Sequence, residues 1–107
     1  MTATRTPAAK VSEVPRGGMK VVETGGLRIA LCNVEGRIYA IEDVCTHDDG
    51  PLGEGRLDGF EAECPRHGAR FDVRSGAVTR MPAVVPVRSF PVRIEGDSIF
   101  VEVQHGA

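Results

Sequence analysis

Two short clusters of cysteine and histidine constrain this chain more than any other feature. Cys45-Thr46-His47 and Cys64-Pro65-Arg66-His67 are separated by sixteen residues, and each is followed by a glycine, Gly50 and Gly68. Whatever fold the chain adopts must bring these two segments together, so that two thiolates and two imidazoles face one site. That donor set suits a binuclear iron–sulfur cluster in which cysteines hold one iron and histidines the other, a group that moves single electrons. The chain has only three cysteines and three histidines, and the pattern uses two of each. A structural zinc held by the same four side chains is the competing reading. Zinc sites usually pair like ligands, as Cys-x-x-Cys with a distant histidine pair, whereas each segment here offers one cysteine and one histidine. A third reading, core histidines beside buried thiols, requires four coincidences at once.

Length and charge narrow the surroundings of such a site. A chain of 107 residues fits one domain, large enough to bury roughly two-thirds of its unfolded surface. Its 13 basic and 15 acidic residues nearly balance and form no dense basic run, which argues against a nucleic-acid partner. The longest apolar runs resemble Ile29-Ala30-Leu31-Cys32, far short of the roughly 20 residues that span a bilayer. No membrane role is expected. Residues 1–10 carry neither the apolar core of a secretory signal nor a twin-arginine pair, so the expected location is cytoplasmic. Cys32, the odd cysteine, lies inside an apolar stretch and is expected to be a buried reduced thiol.

Glycine and proline are frequent, aromatic residues are few, and apolar residues recur in short runs between turn signals. This favours an all-β domain. Strands are expected over 10–14, 19–24, 27–34, 37–43, 60–64, 69–72, 90–94 and 98–103. Gly25-Gly26, Glu35-Gly36, Asp58-Gly59, Ser75-Gly76 and Gly96-Asp97 fall between runs and supply the positive φ of tight hairpins, so the topology should be antiparallel. Alternation is clearest around Ile38 and Ala40 and again at Ile99, Val101 and Val103, where apolar side chains should share a face. Both candidate histidines fall in loops, which allows a metal group to sit at a rigid tip. The stretch from Gly50 to Gly55 is too rich in breakers for a helix and reads as part of the first loop. Residues 1–8 are expected to be a flexible N-terminus, with the domain over 9–104.

Further residues complete a pattern: Gly68, Phe71-Asp72-x-x-Ser75-Gly76, Pro82-Ala83 and Phe90-Pro91-Val92-Arg93. Over nearly its whole length the chain resembles the small Rieske-type ferredoxins that feed electrons to multicomponent non-haem iron oxygenases such as ring-hydroxylating dioxygenases. More narrowly, the segment from Cys45 to Gly55, with that from Cys64 to Asp72, is similar to ferredoxins associated with sulfur-mobilisation cluster-assembly genes. The resemblance implies a Rieske-like antiparallel β-sandwich with a cluster-binding subdomain at one tip. It also implies one [2Fe–2S] cluster, with Cys45 and Cys64 on the inner iron and His47 and His67 on an outer iron at the surface. The partners it implies are a flavin-dependent ferredoxin reductase and a terminal oxygenase, with the chain as carrier and no catalytic residues of its own.

Departures from the high-potential members of the family are informative. Those carry an additional cysteine in each ligand loop, forming a bridging disulfide, where this chain has Gly50 and Arg66. The loops are therefore expected to be held by packing alone, with a third loop around Met81-Pro82-Ala83 closing over them. High-potential members also place a serine and a tyrosine, whose hydroxyls donate to cluster sulfur, where this chain has Ala69 and Phe71. Each charge-assisted bond at roughly 1.5–3 kcal/mol is worth roughly 60–130 mV, so the expected potential is low. Asp43, Asp48, Asp49, Glu54, Arg66 and Arg70 are expected to form a solvated polar rim. Two other roles fit the same resemblance: a small subunit of a larger redox enzyme of the nitrite reductase type, or an accessory protein in iron–sulfur cluster assembly. The chain cannot itself be an oxygenase, because a mononuclear iron site needs two more histidines and a carboxylate, and only His105 remains.

Overall fold

The computed structural model describes residues 7–46 and 50–103. Their backbone forms eleven strands and two short 3₁₀ turns. In chain order the strands are β1 (Ala9–Lys10), β2 (Met19–Thr24), β3 (Leu27–Val34), β4 (Arg37–Glu42), β5 (Arg56–Asp58), β6 (Glu61–Glu63), β7 (Arg70–Asp72), β8 (Val78–Arg80), β9 (Ser89–Phe90), β10 (Val92–Glu95) and β11 (Ser98–Val101). They make three antiparallel sheets, in the orders β1-β11-β10, β2-β3-β4-β9 and β5-β6-β7-β8.

The sequence of β3 explains why there are three layers. Successive side chains of a strand point to opposite faces, and β3 is apolar on both. Ile29 and Leu31 join Ile38, Ala40, Ile99, Val101 and Val103 in one core, shared with the β1-β11-β10 sheet. Ala30, Cys32 and Val34 join Ile41, Cys45, Leu52, Ala62, Cys64 and Phe71 in the other, shared with the β5–β8 sheet. The four-stranded sheet of β2, β3, β4 and β9 is therefore the middle layer. The expected common face for Ile38 and Ala40, and for Ile99, Val101 and Val103, is observed.

The β3–β4 turn shows how a single polar side chain fixes this register. Glu35 and Gly36 both have positive φ, 52° and 94°, as a two-residue hairpin turn of matching twist requires. The buried Asn33 accepts a hydrogen bond from the Gly36 N–H at 2.8 Å and donates to the Val14 carbonyl at 2.9 Å. One amide thus supports the strained turn and ties the N-terminal segment to it.

After β4 the chain leaves the middle sheet, builds the β5–β8 sheet, and returns at β9, where Ala40 faces Phe90 and Ile41 faces Ser89. Both cysteine–histidine segments lie within this excursion. Several strand bounds differ from expectation. Over 10–14 only Lys10 is strand; the Val11 N–H donates to the Asp97 carbonyl and the Val14 N–H to Val11, which winds 11–13 into a 3₁₀ turn. The run 90–94 splits at Pro91, which has no N–H to give, so β9 and β10 pair in different sheets. Strands β5 and β8 were not expected, and Leu52–Glu54 forms a 3₁₀ turn within the stretch read as plain loop. Among the described residues no helix is long and apolar enough to cross a membrane.

Candidate metal centre

The two loops that carry the candidate ligands are closed by the same bond. Beyond β4, the Cys45 N–H donates to the Gly50 carbonyl at 2.7 Å; beyond β6, the Cys64 N–H donates to the Ala69 carbonyl at 2.8 Å. In each case a cysteine bonds to the residue five positions on, so each loop folds back on its own cysteine. The second loop gains a further bond, Gly68 N–H to the Cys64 carbonyl at 3.2 Å. Gly68 takes a positive φ of 76° in the second reversal, a conformation that glycine adopts without strain.

The loops sort their side chains by depth. Cys45 and Cys64 are 0% and 2% exposed and sit in the same core cluster as Leu52, Ala69, Phe71 and Ala83. Pro65, Arg66 and His67 are exposed. His47 lies outside the described residues, as do Asp48, Asp49 and His105. The structure therefore brings Cys45 and Cys64 into one apolar core and leaves His67 at the surface above it. None of the three cysteines is in a disulfide.

The third loop does close over the site. Ala83 is buried in the same cluster as both cysteines, while its neighbours Met81 and Val84 are 76% and 78% exposed. The Thr46 hydroxyl donates to the Val85 carbonyl, which pins the first loop to the third. Packing alone is thus not what holds the loops, contrary to expectation; a hydroxyl and, on the first loop, a carboxylate contribute as well.

That carboxylate belongs to Asp43, expected on a solvated rim and found inside. Its side chain is fully buried; Oδ1 accepts from the Gly53 N–H at 2.6 Å and Oδ2 from Arg28 Nη2 at 3.3 Å. Arg70, also expected on the rim, is mostly buried and spans the tip sheet. Its Nη1 donates to Asp58 and Glu61 at 3.0 and 2.9 Å, and Nη2 to Glu63 at 3.3 Å. The hydrogen bond from Arg70 holds the Glu61 carboxyl below its ordinary range, that from Arg56 does the same for Glu63, and that from Arg74 for Asp72. β5, β6 and β7 each carry charged residues at their first and third positions; Arg56 faces Glu63 and Glu63 faces Arg70, while Asp58 and Asp72 both flank Glu61, so Arg70 reaches across to the carboxylates of Asp58 and Glu61. Nothing in the sequence distinguishes these partners from ordinary surface residues; a carboxylate directly after a strand and two positions before a candidate ligand is the one hint for Asp43.

Cys32 behaves as expected for a structural thiol. It is fully buried, donates weakly to the Ala30 carbonyl at 3.7 Å, and burial together with the nearby Asp43 pushes its pKa up to about 12. A thiol this hard to ionise is a poor nucleophile and a poor ligand.

The donor set fits an iron–sulfur cluster on these observations. Both thiols lie in one buried cluster, each at the start of a loop closed by the same cysteine N–H bond to the residue five positions on, which is the placement that a cluster held by both would need. Comparison with known proteins agrees. The family model for the Rieske [2Fe-2S] domain matches residues 4–91. The ferredoxin component of the naphthalene 1,2-dioxygenase system of Pseudomonas aeruginosa is 37% identical over 103 residues, covering 96% of this chain and 99% of the relative. Among solved structures, the ferredoxin of carbazole 1,9a-dioxygenase from Nocardioides aromaticivorans IC177 superposes with a TM-score of 0.88 at 33% identity, over 92% of this chain and 97% of that one. A chain from the complex of reduced oxygenase and oxidized ferredoxin in carbazole 1,9a-dioxygenase superposes with a TM-score of 0.84 at 34% identity, over 91% of each. On fold, donor residues and extent of match together, this chain belongs to the Rieske [2Fe-2S] domain family.

Proposed function

We propose that this protein is the electron-carrying ferredoxin component of a non-haem iron oxygenase system, taking one electron at a time from a flavin-dependent ferredoxin reductase and passing it to a terminal oxygenase. The observation that carries this reading is the depth ordering of the ligand loops: cysteines in the core, His67 at the surface. When bound, a [2Fe–2S] cluster supplies a reversible one-electron couple.

In this reading Cys45 and Cys64 hold the inner iron and His47 and His67 the outer one. The buried side chains Leu52, Ala69, Phe71 and Ala83 keep water from the thiolate side. His67 offers its imidazole edge to a docked protein, which gives the electron an exit without opening the core. The relatives support the partner assignment, since one is named the ferredoxin component of a dioxygenase system and another was solved in complex with an oxygenase. The reading places the carrier in the cytoplasm, with a functional domain over 9–104.

The test uses the purified holoprotein with a flavin reductase and reduced nicotinamide. Bleaching of the visible absorption on mixing, and its recovery on adding a Rieske-type terminal oxygenase with substrate and oxygen, is the expected result. Failure to accept electrons from any such reductase, with stable copurification on a large redox subunit instead, would contradict it.

A further inference from the structure

The first ligand loop is secured from outside itself. Asp43 follows β4 directly, and its N–H extends the sheet ladder by one bond, to the Arg28 carbonyl at 2.9 Å. Its carboxylate then turns inward and accepts from the Gly53 N–H at 2.6 Å. Gly53 is the second residue of the 3₁₀ turn Leu52–Glu54, which begins at Pro51 without any side-chain cap of its own. The first N–H groups of a helical turn need acceptors from elsewhere, and here one is supplied across the loop. The turn is packed tightly: a Cβ at Gly53 would collide with the Val21 side chain, and Leu52 is fully buried in the core cluster that holds Cys45 and Cys64.

The result is two nested rings. The inner one closes from Cys45 N–H to Gly50, the outer one from the Asp43 carboxylate to Gly53. In sequence, Cys45 and His47 both fall inside the outer closure. The second loop has no counterpart to the outer ring among the described residues; its cysteine is fixed by β6 and β7 on either side.

Resting on the cluster-carrier reading above, we infer that Asp43 is a positioning residue for the metal centre: its Oδ1, which accepts from the Gly53 N–H while Oδ2 is held by Arg28, sets where the first loop presents its ligands. Arg28 is more than half exposed, so its role is to orient the carboxylate and the oxygen facing Gly53 does the holding.

The test compares holoproteins of the parent chain, Asp43→Asn, Asp43→Ala and Asp43→Ser, by the g-values of the dithionite-reduced centre and by the rate of iron loss to a chelator. Asparagine keeps an oxygen at the accepting position; alanine has none, and the serine hydroxyl falls short. Asp43→Ala and Asp43→Ser are expected to shift the g-values and to lose iron about tenfold faster or more, as removal of a charge-assisted bond implies, while Asp43→Asn keeps the parent g-values and stays within about threefold of its rate. Parent-like g-values and iron loss in Asp43→Ala would overturn the inference, as would an Asp43→Asn protein as labile as Asp43→Ser. If Asp43→Ala does not fold, the asparagine and serine proteins decide between the same outcomes. A parent protein with no mixed-ligand resonance would instead overturn the carrier reading, and so the two failures are distinguishable.

Discussion

The two parts of this molecule are held together by different forces. The base, made of β1–β4 and β9–β11, has a strand that is buried on both faces, and its cores are aliphatic. The tip sheet, β5–β8, has strands of three residues, and Ala62 and Phe71 are the residues of these strands that are buried. Much of the rest of that sheet is charged: Arg56, Asp58, Glu61, Glu63, Arg70, Asp72 and Arg80. Short single-faced strands rarely stand alone. The tip is tied to the middle sheet through a shared core and is spanned by ion pairs centred on Arg70. The part that carries the candidate ligands is the part with the shorter strands and the fewer buried strand residues.

This contrast can be broken in several ways. The largest effect should follow removal of the cluster: amide hydrogen exchange in the apoprotein is expected to lose protection across β5–β8 and the loops at Cys45 and Cys64, while β2–β4 and β11 remain protected. Uniform loss in both regions would show that the parts are one cooperative unit. Next, Phe71→Ala removes the one large buried side chain of the tip strands and should cost about 3–5 kcal/mol in denaturant melts of the holoprotein. A smaller cost would mean that the tip is not anchored through the shared core.

The two regions should also fail at opposite ends of the pH scale. Cys32 in the base has its pKa raised from 9.0 to about 12. The stability this contributes is complete below pH 9.0 and is lost as the pH climbs toward about 12, where the unfolded thiol ionises and the folded one resists. Cys32→Val should flatten the alkaline slope. In the tip, Glu61 and Asp72 are lowered from 4.5 and 3.8. Their contribution is present above those values and is lost as the pH falls through the lower folded-state range. Acid titration followed by residue-specific exchange should therefore open β6 and β7 before β3.

Smaller effects sharpen the picture of the site. Ala69→Ser and Phe71→Tyr each place a hydroxyl beside the thiolate side and should raise the midpoint potential by roughly 60–130 mV; voltammetry with no upward shift in the double variant would show that neither hydroxyl reaches sulfur. Arg70→Met removes the shared partner of Asp58 and Glu61, while Glu63 keeps Arg56, and should lower the melting temperature by a small amount that shrinks further at high salt, because these pairs are partly solvated.

The base was legible in the sequence and the tip only in part. β2 and β3 match expectation because short apolar runs and the glycine turns that bound them act locally. The candidate ligand segments stand out in the sequence because four rare side chains fall in two short clusters. β5 and β8 escaped because Arg56-Leu57-Asp58 and Val78-Thr79-Arg80 look like loops; their strand conformation comes from pairing with β6 and β7, which no local pattern records. Asp43 was misplaced for the same reason. A carboxylate beside candidate ligands reads as a surface group, and only the fold supplies the Gly53 N–H and the Arg28 guanidinium that take it inward.

The central claim is that Cys45, His47, Cys64 and His67 hold one mixed-ligand diiron cluster. Electron paramagnetic resonance of the dithionite-reduced protein, read with its iron and sulfide content, tests this most directly. The account predicts the resonance of a reduced two-cysteine, two-histidine cluster at two irons per chain, abolished by His47→Ala or His67→Ala and kept by His105→Ala. A colourless protein loaded with zinc, or a resonance that survives His67→Ala unchanged, would contradict it.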